Sequence, residues 1–206
     1  IRTQIHTQGI LMDLWQDVAP TIDFSLAIDL PRFSQGLADS ARILDMGCGY
    51  GRITEQLQRA GYRNLYGVDA SAAMISRGRE EFPQLQLLHS DDPLAQFPAD
   101  HFDAILACAV LTCIPCQQER STLIRQLWQW LKPGGCLYLA EFCHVDGVRF
   151  MSGFGIDMWH SRPAELRALL TGFSIEKDEI RTEKTLSGQT ALSCHLFARK
   201  QASFYP

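Results

Sequence analysis

The run Asp45-Met46-Gly47-Cys48-Gly49-Tyr50-Gly51-Arg52 carries the strongest chemical signal in the chain. Three glycines at alternate positions, behind the apolar pair Ile43-Leu44 and an acid, mark a strand that runs into a tight turn. Glycine is needed in such a turn because a Cβ would oppose positive φ and hold a ligand away from the backbone N–H groups. Further on, Leu65-Tyr66-Gly67-Val68-Asp69 ends a second apolar run in another acid. A glycine loop followed at that distance by a strand-end carboxylate describes a site that grips an adenosine-like ligand, with the acid on the ribose hydroxyls. The dinucleotide pattern G-x-G-x-x-G would place its third glycine where Arg52 stands, so a nicotinamide oxidoreductase is disfavoured. No G-x-x-x-x-G-K-[ST] occurs, which excludes a nucleoside triphosphate loop of that kind.

These residues need a scaffold, and the chain reads as alternating strands and helices from residue 41 onward. Strands are expected at about 41–46, 64–68, 85–88, 102–107 and 136–141, with helices near 51–60, after Ser71, and at 117–131. Two further strands are expected near 173–182 and 190–199, after a helix opening at Pro163. This alternation predicts an α/β fold: a doubly wound, mostly parallel seven-stranded sheet with helices on both faces, three layers in all. Residues 1–40 read as a helical cap. Ile10, Leu11, Leu14 and Trp15 fall at helical spacing, and Phe24, Leu26, Ala27 and Leu30 suggest a short helix before Pro31. That segment is either a lid over the ligand or a cover for the sheet. With no repeats, linkers or low-complexity tracts, residues 1–206 read as one domain.

In this form the glycine loop closely resembles motif I of the class I S-adenosylmethionine (SAM)-dependent methyltransferases. Leu88-His89-Ser90-Asp91-Asp92 resembles the family's third motif, Phe102-Asp103-Ala104-Ile105-Leu106 through Val110-Leu111 its fourth, and Leu131-Lys132-Pro133-Gly134-Gly135 its turn before strand 5. The likeness covers residues 41–141, about half the chain. It implies SAM as cofactor and methyl transfer to a small-molecule acceptor. It also implies the roles of single residues. Gly47, Cys48, Gly49 and Gly51 give close backbone approach, and Asp45 anchors the amino-acid end. Asp69 takes the ribose, Ala70 and Met74 pack around adenine, and Asp91 with the N–H of Asp92 reads the ring. Cys108 offers its backbone to the methionine part.

Substrate contacts in this family usually come from the N-terminal segment and the stretch after strand 5. The resemblance therefore singles out His144 and His160 as candidate general bases, since histidine takes a proton near neutral pH. Trp159 is the candidate substrate contact. The plain alternative is that these are packing aromatics and solvated histidines. The signature N-P-P-Y or D-P-P-Y is absent after strand 4, where Ala107-Cys108-Ala109-Val110 stands, which points away from amino groups of nucleic acids or proteins. The alternative function is a SAM-binding protein without transferase activity.

Composition agrees. A net charge of −4 without a Lys/Arg cluster argues against a general nucleic-acid binder. No apolar run approaches the roughly 20 residues of a membrane span, so neither a membrane nor a nucleic acid is an expected partner, and the cytoplasm is the expected location. Seven cysteines without framework spacing read as reduced thiols. The pair Cys113/Cys116 reads as incidental, and no metal site is expected.

Overall fold

The computed structural model describes residues 14–90, 97–185 and 187–201. Seven strands form one sheet: β1 (Arg42–Met46), β2 (Asn64–Asp69), β3 (Leu87–His89), β4 (Phe102–Cys108), β5 (Leu131–Cys143), β8 (Phe173–Lys184) and β9 (Thr190–Lys200). Their order is β3-β2-β1-β4-β5-β9-β8, parallel except at β9, which pairs antiparallel with both β5 and β8. The strand order reverses direction between β1 and β4, and in open α/β sheets the crevice at that switch point is where ligands bind. The expected doubly wound, seven-stranded fold is the observed one.

The central strands are apolar on both faces because both are covered. On one side Leu44, Ile105, Leu137 and Leu139 pack with Leu123 and Leu127 of the helix Gln117–Trp130 and with Leu166 and Leu169 of the helix Pro163–Leu169. On the other, Ile43, Leu106 and Tyr138 pack with Ile53 and Leu57 of the helix Arg52–Arg59 and with Phe33. Adjacent residues such as Ile43 and Leu44 thus serve opposite cores, as the two-residue period of a strand requires.

Three expectations change. Residues 24–29 form no helix; a short one, Leu30–Phe33, follows, capped by Asp29, whose carboxylate accepts from Arg32 N. Pro31 lies in its first turn, where its missing N–H costs nothing. No strand is expected between residues 141 and 173, yet a small antiparallel hairpin lies there, β6 (Val148–Met151) with β7 (Asp157–His160). Strand β5 is assigned from Leu131, so the Lys132-Pro133-Gly134-Gly135 turn lies within it, beside an irregularity in the register between Phe102 and Ala104. Ile10 and Leu11 lie outside the described residues, while residues 14–18 are helical.

Candidate active site

A cavity of about 660 Å³ opens at the switch point, within the range of small-molecule sites. Its floor is the glycine loop. Gly47 and Gly49 adopt φ of +68° and +56°. A Cβ on Gly47 would stand 2.6 Å from Val110 Cγ2, and one on Gly49 would stand 2.7 Å from Phe24 Cε2. The loop is pinned from below, with Gly47 N and Cys48 N both donating to Val68 O at 2.8 and 3.0 Å. A Gly49→Ala variant is expected to lose about 1–3 kcal/mol of stability, because an L side chain is strained at this φ and Phe24 must also move. Urea unfolding beside the wild-type protein measures it.

Asp69 ends β2 at the wall of this cavity. Its Oδ2 accepts from Gly49 N and its Oδ1 from Ser71 N, each at 2.8 Å. Burial pushes its pKa up, and the N–H groups of Ser71 and Gly49 push back toward the ionised form. Each oxygen has accepted one backbone donor, so lone pairs on both remain for further donors. Ser71 then caps the helix Ala72–Glu81 by accepting from Met74 N.

Of the residues singled out above, Gly47, Cys48, Gly49, Asp69, Ala70, Met74 and Cys108 line the cavity. Gly51 does not; it caps the following helix with a left-handed φ of +89°. Asp45 does not either. It is 2% exposed and accepts from Thr54 Oγ1 at 2.7 Å, so it braces the loop from behind and has no surface to offer a ligand. Asp91 and Asp92 lie outside the described residues.

The three acceptor-side candidates are also set back from the cavity wall. His160 stacks on Phe142, with ring centroids 5.4 Å apart, and Phe142 is the residue that faces the cavity. Burial and His144 lower the pKa of His160. Nδ1 of His144 accepts from Asp146 N, 3.2 Å away in its own turn. Trp159 is held by two guanidinium groups, Arg120 at 3.6 Å and Arg149 at 4.0 Å from its ring centre. Its neighbour Met158 reaches the cavity instead. One position along an extended strand reverses the face, and sequence alone did not fix that register.

Burial raises the pKa of Asp45 from 3.8 to about 6, only partly offset by the Thr54 hydroxyl and Arg52. A carboxyl whose folded pKa lies above its unfolded value binds its proton more tightly when folded. Its contribution to stability is therefore full below about pH 4 and lost as pH rises through 6. Asp45→Asn, which keeps an acceptor for Thr54, is expected to gain on the wild-type protein by on the order of 2–3 kcal/mol between pH 4 and pH 7. Urea unfolding at the two pH values checks the sign.

Two buried charges, to which the sequence assigned no role, hold the wall beside the glycine loop. Glu141, fully buried in β5, accepts from the N–H groups of Val110, Leu111 and Thr112 and from Thr112 Oγ1, at 2.7–3.0 Å. It thereby fixes the turn after β4, where Ala109 takes a φ of +57°. Arg120, 1% exposed, donates to Leu111 O, Ile114 O and Ser161 Oγ, tying that turn to the hairpin. Burial lowers its pKa to about 10, so it stays charged at neutral pH. The available signal was a carboxylate inside the apolar strand Tyr138-Leu139-Ala140-Glu141-Phe142.

Residues before α/β alternation begins complete the enclosure. Trp15, Phe24, Ser25 and Leu26 line the cavity, and Phe24 stacks on Tyr50 at 5.7 Å. Arg77 fastens this strap by donating to Ala19 O and Ile22 O while lying 3.9 Å over the Tyr50 ring. The segment therefore walls the ligand space as well as covering protein. All seven cysteines are free thiols, and among the described residues no group of His, Cys, Asp and Glu is placed to hold a metal ion. Nor, among those residues, is any helix long and apolar enough to cross a membrane.

A doubly wound sheet with a glycine floor and a strand-end carboxylate at its switch point defines a nucleotide-type binding domain. Residues 43–135 match the sequence model of a methyltransferase domain. By fold and by this match, under half of the chain, residues 43–135 are similar to the domain of class I SAM-dependent methyltransferases. The chain is 37% identical over 102 residues to trans-aconitate 2-methyltransferase of Azoarcus sp. (strain BH72), covering 49% of this chain and 39% of that one. It is 31% identical over 139 residues to carboxy-S-adenosyl-L-methionine synthase of Glaesserella parasuis serovar 5, covering 62% of this chain and 55% of that one. The matched stretch is thus about two fifths to just over half the length of these relatives.

Among solved structures, a SAM-dependent methyltransferase from Methanosarcina mazei superposes with a TM-score of 0.77 at 24% identity, over 85% of this chain and all of that one. The 1,6-didemethyltoxoflavin-N1-methyltransferase of Burkholderia thailandensis, solved with 1,6-didemethyltoxoflavin and S-adenosylhomocysteine bound, gives 0.66 at 18% identity, over 83% and 76% of the two chains. At these identities the superpositions speak for the fold.

Proposed function

We propose that this chain, as one domain, is a cytoplasmic enzyme that transfers the methyl group of SAM to a small-molecule acceptor. The observation that carries the reading is the Asp69 carboxylate, braced by Gly49 N and Ser71 N beside a glycine floor that a Cβ would fill. When bound, SAM would supply a methyl on a sulfonium, already activated for in-line attack by an acceptor's lone pair, with S-adenosylhomocysteine as the leaving group.

The residues fit that cofactor. Gly47, Cys48 and Gly49 would carry its amino-acid end, with Asp45 bracing the loop from behind and Gly51 opening the helix. Arg52 also lines the cavity, a cation at the end of the loop that would carry the cofactor's carboxylate. Asp69 would accept from the ribose hydroxyls, Ala70 and Met74 would flank adenine, and Cys108 would border the methionine part. Asp91 and Asp92 would read the ring edge. His144 and His160 are the proposed general bases and Trp159 the proposed substrate contact, while Phe142 and Met158 are the residues of that stretch that face the cavity. Holding acceptor and methyl in line is the protein's main task, and positioning of this kind is worth roughly 7–11 kcal/mol.

The test is incubation with methyl-labelled SAM and a fractionated cell extract. Label in the small-molecule fraction, matched by S-adenosylhomocysteine release, is expected. Label in RNA or protein would refute the small-molecule reading, and SAM binding without any transfer would mark a non-enzymatic SAM-binding protein.

A further inference from the structure

Charge within the cavity discriminates among acceptors. Among the described residues its wall holds three acidic or basic side chains: Asp69, Arg52 and Glu119. The first lies where the ribose would sit. Arg52 belongs to the glycine loop's end, donates to Leu26 O at 2.7 Å, and opens the same helix as Gly51. Where the turn after β4, the helix Gln117–Trp130 and the hairpin build it, the wall is Ile114, Pro115, Leu123, Phe142 and Met158, with the neutral polar side chains of Gln118 and Thr122 beside them. Glu119, in the first turn of that helix, is the carboxylate there. Its side chain is half-buried and forms no ion pair or hydrogen bond among the described residues.

An acceptor with two or three carboxylates needs cationic or multiple N–H partners when it leaves water, because an unpaired buried charge is costly. This end of the cavity offers a mainly apolar wall with one aromatic ring, two neutral polar side chains, no cation and one carboxylate. A neutral or cationic organic body suits these features, since aromatic faces also attract cations. We infer that the acceptor is a neutral or positively charged compound with an apolar body, its cationic or donor group facing Glu119, and that polycarboxylates are rejected. The inference rests on the methyltransferase reading of the cavity. It also separates this chain from the trans-aconitate methyltransferases it matches in sequence.

The experiment is calorimetric titration with S-adenosylhomocysteine present at saturation. The probes are 1-naphthylmethylamine, 1-naphthoate and trans-aconitate, tested on the wild-type protein and on Glu119→Gln. The amine is expected to bind at least about tenfold more tightly than the naphthoate, a preference equal to one charge-assisted contact. Glu119→Gln should erase the preference while leaving S-adenosylhomocysteine binding intact, which also shows that the variant is folded. Naphthoate or trans-aconitate binding as tightly as the amine overturns the inference. So does an amine preference that survives in Glu119→Gln, or a failure of all three probes to bind. Failure of S-adenosylhomocysteine itself to bind is a different result, and it removes the methyltransferase reading instead.

Discussion

Asp69→Ala is expected to weaken S-adenosylhomocysteine binding by about a hundredfold or more. The carboxylate has two tasks in this site. It accepts from Gly49 N and Ser71 N, locking the glycine loop to the end of β2, and it would present its remaining lone pairs to two ribose hydroxyls. Hydrogen bonds to an ionised acceptor are worth about 1.5–3 kcal/mol each, so losing two ligand bonds spans a factor of a hundred or more. Loosening of the loop adds to that. Asp69→Asn retains one oxygen acceptor and turns the other position into a donor. It should fall between the alanine variant and the wild-type protein in titration calorimetry. Equal affinity for all three proteins would show that the ligand does not touch this residue.

The second large effect is expected at Glu141, and it is chiefly one of stability. Removal of this carboxylate leaves three buried N–H groups and the Thr112 hydroxyl without their acceptor, and takes a compensating negative charge from the neighbourhood of buried Arg120. Breaking such a buried charged network typically costs about 3–5 kcal/mol. Glu141→Ala should lose that much in urea unfolding. Its ligand affinity should fall as well, because Val110, placed by Glu141, packs where a Cβ on Gly47 would be. Glu141→Gln keeps one acceptor oxygen and should lose less. A Glu141→Ala variant as stable as the wild-type protein would mean that the turn after β4 is held by packing alone.

Local constraints were legible in the sequence and distant ones were not. The glycine loop could be read because each glycine answers to backbone geometry within a few residues, and Asp69 because it ends a strand at a fixed distance from that loop. The parallel sheet followed from apolar runs alternating with helical periods, and most strand limits fall within two residues of the expected ones. Asp45 was visible as an acid but not as a buried brace, since its partner Thr54 carries no distinguishing pattern. Glu141 acts on residues about 30 positions away, and Arg120 ties a nearby turn to Ser161, 41 positions on, and no spacing rule reaches that far. The hairpin was hidden because its two four-residue strands, on either side of a turn containing Gly153 and Gly155, carry little apolar alternation. Its register decided that Met158, and not Trp159, faces the cavity, and His160 is set back by stacking on Phe142. Phe24 and Leu26 resembled helix positions because their spacing suits a helix; their burial against the glycine loop and the sheet is tertiary.

The central claim is that the cavity at the switch point holds the adenosyl and amino-acid parts of SAM. Titration calorimetry of the purified wild-type protein with S-adenosylhomocysteine, beside NADH as a control, tests it most directly. The account predicts one site per chain with a micromolar dissociation constant, a free energy near −8 kcal/mol, and no heat from NADH. A folded protein that gives no heat with S-adenosylhomocysteine, or that binds NADH in its place, would contradict it.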